Sequence, residues 1–243
     1  MDTEIVEKAR ELEDNGDLKE CIKYIDENIN SIQDALTKTD VLRIRSECFL
    51  YQDVPDSEMA RQSAEEALKI SSEKNDQRRI AETNLLLSQI LVLEDTSKAI
   101  EYGRKALELY QKINDKSEYI YSMISLATIL EDFKEASPLF EKAMQEAEGS
   151  NNLDMLAQAA VNYAYLLVEQ KGGDEPLKTL DKAIKKILGE AAKLKRKEER
   201  IRAVNNYSEI FDAASDIAME LDQYDLATKY ASYLNKDPQE SAK

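Results

Sequence analysis

Three segments of the chain align without a gap: ARQSAEEALKI from Ala60, AIEYGRKALEL from Ala99 and ASPLFEKAMQE from Ala136. Each opens on alanine, has its next core position four residues on (Ala64, Gly103, Phe140) and a further alanine three beyond that (Ala67, Ala106, Ala143). A large apolar residue follows at once, as Leu68, Leu107 and Met144. Offsets of four and three keep these side chains on one helical face. Small residues there let two helices approach closely, and the large neighbour fills the remaining space. The pattern restricts these stretches to packed helices.

Another amphipathic segment precedes each phrase: VLRIRSECFLY, RIAETNLLLSQILVL and YIYSMISLATIL. Between the two halves of a unit, Pro55-Asp56-Ser57, Asp95-Thr96-Ser97 and Asp132 supply helix-start and capping groups. The loops after each unit also rhyme, with SSEKND ending at Asp76, QKIND at Asp115 and EGSNN at Asn152. Weaker copies flank this middle. ARELEDNGDLKECIKYI has Gly16-Asp17 in its turn and Cys21 where the others have alanine. AQAAVNYAYLLVEQ leads through Gly172-Gly173-Asp174 into EPLKTLDKAIKKIL, where Ala183-Ile184 match the alanine-leucine pair. NYSEIFDAASDIAMELDQYDLATKYASYL keeps Tyr224, Ala227 and Ala231 in register. These landmarks predict six antiparallel helix pairs, at about 3–36, 38–74, 77–113, 117–148, 153–188 and 197–235. The tail KDPQESAK, residues 236–243, reads as disordered.

The repeat resembles the tetratricopeptide (TPR) repeat, and within it the longer-period branch of kinesin light chains and related adaptors. The phrase A-x-x-L-x-x-x-G-D-x-x-x-A is matched by Ala9, Leu12, Gly16, Asp17 and, at its last position, Cys21. The phrase A-x-P-L-F-E-K-A is matched by Ala136, Pro138, Leu139, Phe140, Glu141, Lys142 and Ala143. The resemblance runs from about Thr3 to Asn235, although no copy carries the family's tryptophan. It implies an all-α chain, a single TPR-like solenoid over residues 1–235 coiled as a right-handed α-α superhelix. One such hairpin cannot bury its apolar face alone, and stacking supplies the missing surface.

The resemblance also implies where binding takes place. The first helix of each pair lines a concave groove, offering Arg45, Phe49, Asn84, Ser88, Tyr121, Ser125, Thr128, Gln158 and Tyr165, a polar and aromatic wall suited to a partner peptide or helix. A basic carboxylate clamp of the chaperone-binding kind needs paired cations, and only Arg45 stands at the matching positions. In the last unit Glu209, Asp212 and Asp216 make an acidic groove end suited to a basic segment. The step into that unit is longer by roughly a dozen residues. Its KKILGEAAKLKRKEERIR stretch holds Lys185, Lys186, Lys193, Lys195, Arg196, Lys197, Arg200 and Arg202 and reads as a projecting helical hairpin with a basic tip at Lys193, Lys195, Arg196, Lys197 and Arg200.

Composition narrows the function. There is no histidine, which removes the commonest general base and the usual zinc ligand together. Gly172-Gly173 lacks the flanking lysine and Ser/Thr of a phosphate loop, and carboxylate pairs are too common here to mark acid-base chemistry. Cys21 and Cys48, the only cysteines, fall on small inward positions and act as modest hydrophobes. No catalytic residue, metal or cofactor is expected. A net charge of −16 repels nucleic acid and anionic membranes. No apolar run approaches the roughly 18 residues of a membrane span, so the simplest location is cytoplasmic. The fourteen-three-three phosphopeptide binders share this length and acidity, but their Arg-Tyr-Leu phrase does not occur here.

The expected function is therefore that of a non-enzymatic scaffold or adaptor for a protein or peptide partner. Two alternatives stand beside it. Bacterial peptide-responsive members of the same superfamily act as sensors and usually add an effector segment, whereas helix pairs here begin within a few residues of Met1. The basic tip, set against so acidic a body, would instead support docking to a partner or a homo-oligomer.

Overall fold

In the computed structural model of the protein, residues 2–170 and 173–241 are described. Gly172, one of the predicted connector residues, lies outside them. Every regular element among the described residues is a helix, as the repeat predicts. None of these helices is long and apolar enough to cross a membrane.

The chain forms two compact units, Met1–Ile129 and Leu130–Lys243. The sequence predicts one continuous stack; the division falls between the two helices expected to form the fourth pair, so each unit takes one of them.

The first unit contains α1 (Asp2–Asp14), α2 (Leu18–Asn28), α3 (Ala35–Tyr51), α4 (Ser57–Glu73), α5 (Gln77–Leu91), α6 (Thr96–Lys112) and α7 (Lys116–Ile129). Helices adjacent in sequence pack against one another throughout it, and α1 also packs on α3, as α3 does on α5. Close approach follows from the alanine phrases. Ala60, Ala64, Ala67, Ala99 and Ala106 are completely buried.

The connectors are built from two kinds of residue. Asp34, Asp56, Asp76 and Asp95 accept hydrogen bonds from backbone N–H groups three residues on and so cap α3, α4, α5 and α6. In front of Asp76 and Asp115 stand Asn75 and Asn114, both at positive φ, 55° and 58°. Asparagine tolerates this left-handed conformation better than most residues. It turns the chain out of one helix while the following aspartate N–H bonds back to Ser71 O or Tyr110 O, at 3.1 Å in each case. This is the physical content of the rhyming loops.

The second unit contains α8 (Phe133–Gly149), α9 (Leu153–Glu169), α10 (Glu175–Ala191), α11 (Lys197–Asn205), α12 (Ser208–Glu220), α13 (Tyr224–Ala231) and α14 (Pro238–Ser241). Its loop at Asn151 and Asn152 repeats the asparagine-then-cap arrangement. Phe140 on α8 stacks on Tyr163 of α9 with ring centroids 5.6 Å apart.

Two expectations change here. The long step into the last unit is a bend followed by the nine-residue α11, which packs on α10, rather than a projecting hairpin. Of the tail expected at 236–243, residues 242 and 243 lie outside the described residues, and the part before them carries α14, which packs on α10 and α11. Arg200 on α11 holds Asp237 through two bonds, Nε–Oδ1 at 2.7 Å and Nη2–Oδ2 at 2.5 Å, with Asp237 itself buried. A bidentate guanidinium–carboxylate pair fixes both position and angle, which is why so short a helix can be placed.

Candidate functional site

A cavity of about 260 Å³ opens in the first unit. It is lined by Arg43, Glu47 and Tyr51 of α3, by Glu82, Leu85, Leu86 and Gln89 of α5, by Tyr110 of α6, and by Glu118 and Tyr121 of α7. Three first helices of consecutive pairs thus contribute their side chains to one space. At about 100° per residue, Glu82, Leu85, Leu86 and Gln89 share one face of α5, and Arg43, Glu47 and Tyr51 share one face of α3.

The charges are arranged around a single guanidinium. Arg43 pairs with Glu82, thirty-nine residues away, and lies 3.9 Å from Glu47. Behind this pair runs a reciprocal one, Arg79 of α5 to Asp40 of α3, at 2.8 and 2.7 Å. Burial works against the charged form of Arg43, yet Glu47, Glu82 and Asp40 outweigh it and raise the guanidinium pKa. Burial, then the Asp115 and Glu82 charges, raises the Glu118 carboxyl. Tyr110 is 1% exposed, and burial with the neighbouring Glu118 and Glu82 raises its phenol. Elsewhere in the lining, Gln89 donates to the Tyr121 hydroxyl at 3.0 Å, and Tyr51 donates to Gln89 Oε1 at 3.4 Å.

A second layer of buried polar groups supports the α3 face. Glu13 of α1 shares a side-chain hydrogen bond with Glu47; burial first, and then the Glu47 charge, pushes its pKa up to about 8. Cys21 and Cys48 are both buried free thiols. Cys21 donates to Ala9 O at 3.2 Å, and its hydrogen bond with Cys48, together with burial, raises the latter's pKa.

Of the groove residues expected from sequence, Tyr121 lines the cavity. Arg45, Phe49, Asn84 and Ser88 do not, because α3 and α5 are turned the other way. Each stands two residues from a cavity residue of its own helix (Arg43, Glu47, Glu82, Leu86), which is a rotation of about 200°. Arg45 bonds Asp26 of α2 at 2.7 Å and Ser63 of α4 at 2.6 Å, with its guanidinium 4.8 Å above the Phe49 ring. Phe49 packs beside Ala60, Ala64 and Leu87. Asn84 and Ser88 are 3% exposed and donate to Ile80 O and Ala99 O, so neither is available to a guest. Ser125 is half-buried on α7, and Thr128 is exposed but returns its hydroxyl to Ile124 O.

In the second unit Gln158 and Tyr165 are exposed on α9, seven residues apart and so on one face. Glu209, Asp212 and Asp216 are exposed along α12. The basic tip is reduced by one residue. Arg200 is buried against Asp237, while Lys193, Lys195, Arg196 and Lys197 are exposed, with Lys193 paired to Glu190 at 2.7 Å, Lys197 to Glu240 at 2.8 Å and Arg196 to Glu199 at 3.7 Å.

The carboxylates Glu47, Glu82 and Glu118 went unread in the sequence. Their signal was a pair of residues of opposite charge one repeat apart, Arg43 with Glu82 and Asp40 with Arg79.

Solved structures place this architecture among known proteins. A crystal structure of a Rap protein complexed with Competence and Sporulation Factor matches with a TM-score of 0.63 at 16% identity, over 97% of this chain and 74% of that one. The apo form of RapI matches with a TM-score of 0.66 at 14% identity, over 99% of this chain and 97% of that one. The fold is shared: a TPR-like helical-repeat solenoid. Neither a scan against protein-family models nor a search of curated proteins found a match.

Proposed function

We propose that this protein is a non-enzymatic, peptide-responsive interaction module that takes a short peptide, or a segment of a partner protein, against the α3–α5–α7 face of its first unit. The observation that carries this reading is the cavity itself. It is lined by polar and aromatic side chains from three consecutive repeats, among them Tyr51, Gln89 and Tyr121, which are linked by hydrogen bonds. Tyrosine combines broad apolar contact with a polar tip, and a site formed by several repeats senses any change in their spacing.

The shared fold supports the reading by analogy only, since one of the Rap structures is a complex with Competence and Sporulation Factor and fold alone assigns no function. Among the alternatives set out from sequence, the regulatory one gains from this likeness, whereas docking through a basic tip would have to do without Arg200, which is buried. The ion pairs Arg43–Glu82 and Arg78–Asp115 link residues 39 and 37 apart, in keeping with the longer-period branch of TPR repeats. Such a module fits a cytoplasmic role.

Panning a random heptapeptide library on the full-length protein tests the proposal. Selected peptides are expected to bind the wild type and to lose at least tenfold in affinity on a Gln89→Ala/Tyr121→Ala variant, the loss of about 1.4 kcal/mol. Equal binding to both proteins, or no selectable peptide at all, would reject the cavity as a peptide site.

A further inference from the structure

The cavity has a chemical preference that its aromatic rim does not explain. Three carboxylates line it, Glu47, Glu82 and Glu118, against one guanidinium, Arg43, a formal excess of two negative charges. All three carboxylates are half-buried. Arg43 is spent on Glu82 and lies 3.9 Å from Glu47, and Arg78 reaches Glu82 only at 4.0 Å while bonding Asp115 at 2.5 Å.

The second observation is independent of charge. Tyr110 lines the same space on a ring that is 99% shielded from solvent, and its hydroxyl forms no hydrogen bond with any described residue. A buried phenol ordinarily finds a partner. Here the hydroxyl, able both to donate and to accept, stands at the side of a space bounded by carboxylates. A volume of about 260 Å³ falls below the roughly 300–1,000 Å³ of clefts that take whole drug-sized ligands. It suits one or two side chains.

We infer that the cavity is the seat of a single cationic side chain, arginine or lysine, whose N–H groups are received by Glu47, Glu82, Glu118 and the Tyr110 hydroxyl. An anionic group would meet three carboxylates at close range. A neutral one would cover them without compensating their charge, which burial makes unfavourable. A cation answers both, and its N–H groups give the Tyr110 oxygen a partner to accept from. Charge-assisted bonds of this kind are shorter and about twice as strong as neutral ones. The inference deepens the proposed function, resting on the same cavity but naming the chemistry of the residue it reads.

The test uses N-acetyl-arginine amide and N-acetyl-lysine amide against N-acetyl-citrulline amide, the neutral isostere of the first, each titrated into the full-length protein by heteronuclear NMR. The two cations are expected to shift the resonances of Glu82, Gln89 and Tyr121 and to bind about tenfold more tightly than citrulline, the loss that follows from removing charge from such bonds. Glu118→Gln and, separately, Tyr110→Phe should each reduce that preference, with circular dichroism showing an unchanged helical content. Tyr110→Phe guards against misfolding, since it removes one oxygen and leaves the ring in place. Equal binding of arginine and citrulline, absence of arginine binding, or shifts confined to residues outside the cavity would overturn the inference. Peptides selected by panning without enrichment of basic residues would also overturn it while leaving peptide binding intact. Failure of all panning alongside a clear arginine preference would remove the peptide reading and keep the cation site.

Discussion

Ser46, on α3, donates a 2.7 Å hydrogen bond from its hydroxyl to the backbone carbonyl of Ala60, on α4. The arrangement recurs. Ser88 of α5 reaches Ala99 O of α6 at 2.8 Å, and Ser215 of α12 reaches Ala227 O of α13 at 3.2 Å. In each case the acceptor belongs to the first alanine of the repeated phrase. The alanine has only a methyl group to hold the serine off, so small size on one helix and a short hydroxyl on the other together set how closely the pair crosses. Ser46→Ala and Ser88→Ala are each expected to lower stability by about 1 kcal/mol, the usual net worth of one such bond. Urea unfolding followed by circular dichroism checks it, and a change under a few tenths of a kcal/mol would show that the bond is dispensable.

Gly103 gives a sharper test of the same crossing. A Cβ added there would stand 3.0 Å from Ser88 Oγ and 3.2 Å from Leu126 Cδ1. Alanine in place of glycine inside a helix normally gains about 0.5–1 kcal/mol. Here the gain meets a hydroxyl anchored on Ala99 O, and overpacking costs about 1–3 kcal/mol. Gly103→Ala is therefore expected to be neutral to destabilising by about 1 kcal/mol. In a Ser88→Ala background, with the nearer atom gone, the same substitution should stabilise. A double-mutant cycle measures the reversal, and equal effects in both backgrounds would disprove the crowding.

How far the fold was legible follows from these contacts. The alanine phrases announce helix pairs because the second helix of each pair has one buried stripe and one wet face, so its period is plain. The first helices are different. On α3, Ile44 and Cys48 face α1 and α2, and Phe49 faces the cluster around Ala60 and Leu87, so apolar residues occur all round and no single polar face stands out. A register taken from the resemblance put Arg45 and Asn84 on the open side. Local periodicity could not correct it. The information lay instead in long-range pairs such as Arg43 with Glu82, whose members look like ordinary surface charges until the two helices are set side by side. The ordered end of the chain was hidden for a similar reason: Asp237 is one acid among many until Arg200 closes on it.

The Arg43–Glu82 pair predicts an asymmetric response. Their side chains are 13% and 22% exposed, so both charges are largely removed from water. Arg43→Met leaves Glu47, Glu82 and Glu118 without their internal cation, and the expected loss is about 3 kcal/mol, the low end for breaking a buried pair. Restoring balance with Glu82→Leu in the same protein should recover part of it. Thermal unfolding of the single and double variants decides the matter. A double variant no more stable than Arg43→Met would mean that the pair contributes packing rather than charge compensation.

Glu13 sets a pH dependence. Its carboxyl pKa is raised from 4.5 to about 8, by burial first and then by the Glu47 charge. Between those values the folded protein holds a proton that the unfolded chain has released, so stability falls as pH rises across the window and is level on either side. Glu13→Gln keeps a neutral donor towards Glu47 at every pH. The variant should match the wild type near pH 4.5 and become progressively more stable than it up to pH 8. Parallel melting curves across that range test the sign; a constant offset between the two proteins would show that the Glu13–Glu47 contact does not titrate there.

The C-terminal helix supplies the opposite sign. Asp237 is held down at about 2 from its usual 3.8, chiefly by the hydrogen bonds from Arg200 and against the effect of burial. A depressed carboxyl contributes stability above its unfolded value, and that contribution drains away as pH falls through the folded one. Docking of α14 should therefore be intact at neutral pH and fail between about 4 and 2, earlier than the alanine-packed pairs, whose buried alanine stripes do not titrate. Asp237→Asn should release the segment already at pH 7, since an amide leaves the Arg200 guanidinium buried without its counter-charge. Hydrogen exchange at the amides of Asp237, Gln239 and Glu240 reads both effects directly. Exchange in Asp237→Asn as slow as in the wild type would show that α14 is kept in place by Pro238 and its packing on α10, and that the ion pair is incidental.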